Sequence, residues 1–111
     1  MKVCVYGAGA VGGFYGVLLA HSGNEVSAVA RGATLEALRA RGWRLETEGE
    51  ILVERVEASD EPSELGVQDL VIVAVKATAL RGVAERIGPL LGPDTVAVSY
   101  THLTLPTILR V

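Results

Sequence analysis

The stretch "VYGAGAVGG" (residues 5–13) decides the fold. Three of its glycines, Gly7, Gly9 and Gly12, follow the spacing G-x-G-x-x-G, which is weak alone and strong only in the right surroundings. Before it stands "KVCVY" (Lys2–Tyr6), short, apolar and β-branched, the pattern of a buried parallel strand. After it, residues 10–22 carry Val11, Phe14, Leu18 and Leu19, with the small residues Gly12, Gly16 and Ala20 recurring at every fourth position. That spacing predicts a helix with a small-residue face that can lie close against a sheet. Gly23 stands where a helix C-terminus favours glycine, and "EVSAVA" then reads as a second strand closing at Arg31 and Gly32. Strand, glycine turn, helix and strand within about thirty residues make a βαβ unit, with parallel strands and a right-handed crossover.

The pattern continues outward from this unit. Thr34 can cap a helix through "LEALRARG", with Leu35 and Leu38 on one face and Gly42 at its exit. Residues 43–57 are extended, with "EGE" (residues 48–50) as a hairpin tip; the register is open, because "ILV" breaks the alternation. The polar stretch "SDEPSELGVQ" has room for one short helical turn. The most apolar strand follows, Leu70 to Val75, ending at Lys76. From a Thr78 cap, Leu80, Val83, Ala84 and Ile87 recur at i, i+3, i+4 and i+7, an amphipathic helix that "GPLLGPD" terminates before "TVAV" starts another strand. Strands alternating with helices predict an α/β fold: a Rossmann-type doubly wound, mainly parallel sheet with helices on both faces.

In that setting each glycine has a task. Gly7 permits the tight turn, Gly9 lets backbone approach a pyrophosphate, and Gly12 lets the helix close onto the strand. Backbone N–H groups and the positive dipole end at the helix start receive phosphate charge, so Gly7, Ala8, Gly9, Ala10, Val11 and Gly12 are the candidate pyrophosphate loop. The kind of dinucleotide is decided about 20 residues further on, where an NAD site has Asp or Glu for the ribose 2′-OH. This chain has Arg31. A guanidinium binds a 2′-phosphate through paired, charge-assisted hydrogen bonds. At roughly 1.5–3 kcal/mol they favour NADP over NAD by about ten- to a hundredfold. Lys76, at the carboxyl end of its strand, is placed to meet cofactor oxygens or an anionic substrate.

Composition removes other classes. The chain has 111 residues, a formal charge of −3, and 50% hydrophobic residues against 21% charged ones, which suits one compact domain rather than a disordered chain. Lys and Arg are scattered singly, so the basic stripe of a nucleic-acid binder is missing. The single cysteine, Cys4, supports neither a disulfide framework nor a metal cluster and reads as a small core residue. His21, near a helix C-terminus, suits the dipole and carries no catalytic assignment. No apolar run approaches the roughly 20 residues of a membrane span and no signal-peptide layout is present, so a cytoplasmic protein is expected.

The segments "GAGAVGGFYGVLLAHSGNEVSAVARG", "DLVIVAVKA" and "PLLGPDTV" together resemble the N-terminal domain of the ketopantoate reductase (2-dehydropantoate 2-reductase) family over about residues 1–97. The specific marks are Gly13 and Gly16 in the helix, "RG" closing the second strand, and "VK" (Val75 and Lys76) closing the fourth. The resemblance implies NADPH-dependent reduction of ketopantoate to pantoate on the route to coenzyme A. By position, Gly7 to Gly12 would hold the pyrophosphate, Arg31 the 2′-phosphate, and Lys76 the cofactor near the substrate.

The chain departs from the family in two ways. The family's proton-donating lysine belongs to a helical C-terminal domain that this chain lacks, so no catalytic residue is assigned and the fragment is expected to be inactive alone. The fifth strand should also run into an Asn-Gly pair, where this sequence reads "VSYTHLTLPTILRV". All 13 glycines lie at or before Gly92, and residues 98–111 contain no Gly, Ala, Asp, Glu or Lys. "VSYTHLTLPT" resembles one reading frame through a transposon-end sequencing adapter, so residues 98–111 are expected to be a non-family tail. The alternative is a natural edge strand formed by "YTHLTL". Three functional readings stay open: the cofactor domain of a ketopantoate reductase, a reductase of another 2-oxo acid, and a non-enzymatic NAD(P)-sensing module.

Overall fold

A computed structural model describes residues 1–7, 9–99 and 107–110; at residues 10, 11, 47 and 107–110 the description is of the backbone. Ala8 of the glycine loop and the "YTHLTL" segment lie outside the described residues. The elements run β1 (Lys2–Tyr6), α1 (Ala10–His21), β2 (Glu25–Val29), α2 (Gly32–Arg41), β3 (Trp43–Thr47), β4 (Glu50–Glu54), β5 (Glu57–Ser59), β6 (Leu70–Val73), α3 (Leu80–Arg86), β7 (Val96–Ser99) and β8 (Thr107–Arg110). Short 3-10 turns occupy Pro62–Glu64, Ala77–Ala79 and Gly88–Leu90.

Six strands form one sheet in the order β5-β2-β1-β6-β7-β8, parallel except for the antiparallel edge strand β8. The two-residue period of the strands sorts side chains into two cores. Val3, Val5, Val26, Ala28 and Ile72 point to the side covered by Val17 of α1, Leu35 and Leu38 of α2, and Trp43. Cys4, Tyr6, Val29, Val71 and Val73 point to the other side, under Val83 of α3, Leu65 and Leu90. The sheet is therefore wound on both faces. Strand order reverses between β1 and β6, which opens a crevice at their carboxyl ends.

Several details differ from the expectations. Helix α2 starts at Gly32, after an Arg31 cap, and Thr34 lies inside its first turn; no side-chain cap holds this end, and Gly32 turns the chain with φ +63°. Thr78 likewise sits within the 3-10 turn rather than capping α3. The strand expected to reach Val75 ends at Val73. The small-residue face of α1 does not lie wholly on the sheet. Gly12 abuts Val5 and Gly7, but Gly13 and Gly16 receive the indole of Trp43, delivered by the β3–β4 hairpin. Cβ atoms at both positions would press on that ring, which explains why glycines are needed there.

The hairpin also resolves the "ILV" ambiguity. Leu45 faces Leu52 and both pack against the core, whereas Ile51 and Val53 stand on the outer face, exposed. Strand β5 was not foreseen. It is three residues long and exists by pairing Ala58 with Ala28 of β2.

Candidate functional site

The glycine loop begins where β1 ends. The Gly7 N–H donates to the Val29 carbonyl at 3.0 Å, and the Ala74 N–H donates to the Tyr6 carbonyl at 2.9 Å, so the loop is fixed to both neighbouring strands. Gly7 has φ +104°, and a Cβ there would lie 2.5 Å from the Ala74 carbonyl oxygen. At Gly12 a Cβ would collide with the Gly7 carbonyl oxygen and stand 3.0 Å from Val5 Cγ1. Both glycines are therefore demanded by packing within the fold. Gly9 is different. It caps α1 in extended geometry, φ −74° and ψ −170°, and nothing lies within 4 Å of its Cβ position.

The start of α1 is prepared for an anion. Its cap makes no side-chain hydrogen bond, its first turn holds no acidic residue, and the Gly13 N–H closes the first turn onto the Gly9 carbonyl at 2.8 Å. The N–H groups ahead of Gly13 have no helical carbonyl to meet, and the helix dipole adds positive potential at this end.

Beside this start lies an open cleft of ≈ 460 Å³. Gly7 and Gly9 form one wall; Val29, Ala30 and Arg31 another; Val75, Thr78 and Ala79 a third; Asp60, Gly82 and Arg86 complete it. Arg31 stands at the cleft as the residue that leads from β2 into α2, exposed and without a hydrogen-bond or ion-pair partner among the described residues. Lys76 leads the 3-10 turn beyond β6, exposed, but it is not part of the cleft wall, which its neighbours Val75 and Thr78 provide. Of the expected site residues, the structure therefore brings Gly7, Gly9 and Arg31 to one cleft, sets Gly12 behind it as packing, and leaves Lys76 at its margin. Ala10 and Val11 belong to the first turn of α1.

Sequence reasoning missed Arg86 and Tyr6. Burial pushes the Tyr6 phenol up, and the Arg86 and Arg31 guanidinia oppose that shift, so both cations act on one phenol beside the cleft. The thiol of Cys4, on the same face of β1, is pushed up to about 11 by burial, with the Ser27 contact opposing. It is an inert core residue. His21 contacts the Glu54 carboxylate at 3.4 Å on the surface, away from the cleft. The described residues contain no group of three or more His, Cys, Asp or Glu able to hold a metal, and no helix among them is long and apolar enough to cross a membrane.

A doubly wound sheet with a glycine loop and an uncapped helix start at its reversal point defines a Rossmann-type domain, the class that takes dinucleotides across such a crevice. The family described as ketopantoate reductase PanE/ApbA matches residues 3–101, and the chain belongs to that family. A 2-dehydropantoate 2-reductase of Mesorhizobium japonicum is 45% identical over 103 residues, covering 92% of this chain and 32% of the relative. Among solved structures, a PanE/ApbA family ketopantoate reductase from Ralstonia eutropha is 39% identical with a TM-score of 0.84, covering 92% of this chain and 34% of that one. A D-mandelate dehydrogenase, solved with NADH and anilino(oxo)acetate, is 28% identical with a TM-score of 0.81, covering 92% and 33%. The chain thus spans about a third of the length of the relatives it matches. The family is one of oxidoreductases that work with NAD(P)H-type cofactors.

Proposed function

We propose that the chain is the NADP-binding domain of a 2-dehydropantoate 2-reductase, whose whole protein reduces ketopantoate to pantoate with NADPH in the cytoplasm. The observation that carries the cofactor choice is Arg31, an unpartnered guanidinium at the cleft where an NAD-selective site would present a carboxylate. The residues fit the group: Gly9 leaves open space at the helix start, and α1 offers unclaimed N–H donors there. When bound, the nicotinamide supplies a hydride to the oxo carbon of the substrate.

This chain's own part is binding and orientation. Gly7, Ala8, Gly9, Ala10 and Val11 would present backbone to the pyrophosphate, while Gly12 lets α1 pack close against β1 at Val5. Arg31 anchors the 2′-phosphate, and Lys76, at the margin, meets oxygens nearer the substrate. The catalytic groups would belong to the helical C-terminal domain that the family resemblance implies, and residues 1–111 alone would bind cofactor without turnover. In this reading the domain includes all of β7, within the family match that ends at residue 101, so the non-family tail begins a few residues beyond the 97/98 boundary expected from the sequence. An intact copy of the gene that runs from β7 into a helical domain would support that division, and one that keeps "THLTLPTILRV" would overturn it.

A second reading has one specific support: the D-mandelate dehydrogenase neighbour holds NADH with an oxo acid. On that reading the chain is the cofactor domain of a reductase that uses NADH on another 2-oxo acid. Calorimetric titration of the chain with NADPH and NADH, repeated on Arg31→Ala, separates the two. NADPH preference that collapses in the variant supports the NADP reading; equal binding of both cofactors by the unaltered chain supports the second.

A further inference from the structure

We infer that Arg86 is a second specificity-determining residue of the cleft, acting with Arg31 on the 2′-phosphate of the dinucleotide. The inference rests on the NADP reading and extends it to a residue from the opposite side of the sheet. Arg86 ends α3, and the packing of that helix on β1 and β6 through Val83 brings its last turn to the cleft that Arg31 enters from β2.

The guanidinium is already positioned. Arg86 Nη2 donates to the Asp60 carbonyl at 2.8 Å and stands 3.6 Å from Glu61 Oε2. The loop carrying these acceptors is itself held, because the Glu61 N–H donates to Ser59 Oγ at 3.0 Å and that hydroxyl also engages the Glu64 carboxylate. Nε and Nη1 of Arg86 make no hydrogen bond with the described residues, so a fork of donors remains for a ligand. Ordering a pre-positioned side chain costs less on binding than ordering a free one.

Two guanidinia at one cleft repel each other until an anion stands between them. The 2′-phosphate, carrying close to two charges at neutral pH, matches that demand, whereas a ribose hydroxyl does not. Glu61 partly neutralises Arg86 and so tempers the preference.

The test is calorimetric titration of the 111-residue chain with NADPH and NADH, in Arg31→Ala, Arg86→Gln and Glu61→Gln, each checked for folding by circular dichroism. Arg86→Gln should weaken NADPH about tenfold and leave NADH within about twofold, the size of one charge-assisted hydrogen bond. Glu61→Gln should tighten NADPH by about two- to fivefold with NADH unchanged, as expected for releasing an exposed ion pair. If Arg86 serves only to hold the Asp60 loop, both cofactors weaken together or neither moves, and the inference is overturned. Should Arg86→Gln fail to fold, Glu61→Gln decides: an unchanged NADPH to NADH ratio overturns it. If Arg31→Ala shifts the ratio and the other variants do not, this inference alone fails. If Arg31→Ala does not shift it, the NADP reading fails and the inference with it.

Discussion

Alanine at Gly9 and alanine at Gly12 should do opposite things to this protein, although both glycines belong to one loop. At Gly12 the new Cβ collides with the Gly7 carbonyl oxygen and stands 3.0 Å from Val5 Cγ1 and 3.3 Å from Ala74 Cβ. Two of these neighbours belong to the core strand and the loop, so relief requires α1 to lift from β1. Overpacking of this kind costs about 1–3 kcal/mol, and the gain in helix propensity returns roughly 0.5–1 kcal/mol. Because the collision is with a backbone oxygen, the cost falls in the upper half of that range, and a net loss of about 1–2.5 kcal/mol lowers Tm by roughly 4–20 °C for a domain of this size. At Gly9 the Cβ meets nothing within 4 Å and the backbone is already in a region alanine adopts. Stability should stay within about 0.5 kcal/mol of the unaltered chain.

Binding reverses the ranking of severity. On the proposed reading, the open space at Gly9 is where a phosphate would approach the N–H donors of α1, and a methyl group there should hold it away from them. Losing one such charge-assisted bond, worth about 1.5–3 kcal/mol, weakens NADPH by about ten- to a hundredfold. Thermal melts followed by circular dichroism and calorimetric titration with NADPH, run on the same samples, read both quantities. Gly12→Ala melting with the unaltered chain, or Gly9→Ala binding NADPH at full strength, would refute the division of labour drawn from the geometry.

Trp43→Ala should be among the most damaging single changes in the chain. It empties the cradle at Gly13 and Gly16 and removes a buried indole, costing about 3–5 kcal/mol and shifting the urea midpoint accordingly. Cys4 should ignore an aromatic disulfide reagent at pH 8 while the protein is folded and react fully in denaturant, which a colorimetric thiol assay follows. The same thiol makes stability depend on alkali. Its folded pKa, about 11, lies above the ordinary 9.0, so the folded state keeps a proton that the unfolded chain gives up. That contribution is whole below about pH 9 and lost as pH rises towards 11, at up to about 1.4 kcal/mol per pH unit. Denaturant titrations across that range should show Cys4→Ala losing stability less steeply than the unaltered chain.

The parts of the fold legible in the sequence are those whose cause is local. β1, α1, β2 and β6 each announce themselves by their own residues: a β-branched run, a glycine spacing, a C-terminal Gly23. The place of Arg31 at the cleft was legible for the same reason, since a strand end and a loop set it without reference to anything distant. Strand β5 was not, because "EAS" has no strand pattern and becomes one only through pairing with β2. Gly16 gave a correct signal with the wrong partner. Its spacing demanded a close approach, but nothing local says that the approaching group is an indole from a hairpin rather than the sheet. The start of α2 went to Thr34 because hydroxyls are the usual caps, whereas here Gly32 bends the chain into the helix without one.

Arg86 shows where local reading of a binding site must stop. In sequence it is a basic residue in the last turn of an amphipathic helix, where the dipole alone accounts for it. Its second aspect depends on three separate contacts: α3 on the sheet, the β5 loop beneath the guanidinium, and β2 delivering Arg31 to the same cleft. Each is set by a different part of the chain, and β5, which orders the loop, was the strand without a pattern. Pyrophosphate recognition by this fold can therefore be read from one glycine loop, because a single strand-to-helix turn builds it. On the proposed reading, discrimination between NADP and NAD would be assembled from the loops after β2 and β5 and from the end of α3, so substitutions in any of them should change cofactor choice while the glycine loop stays the same.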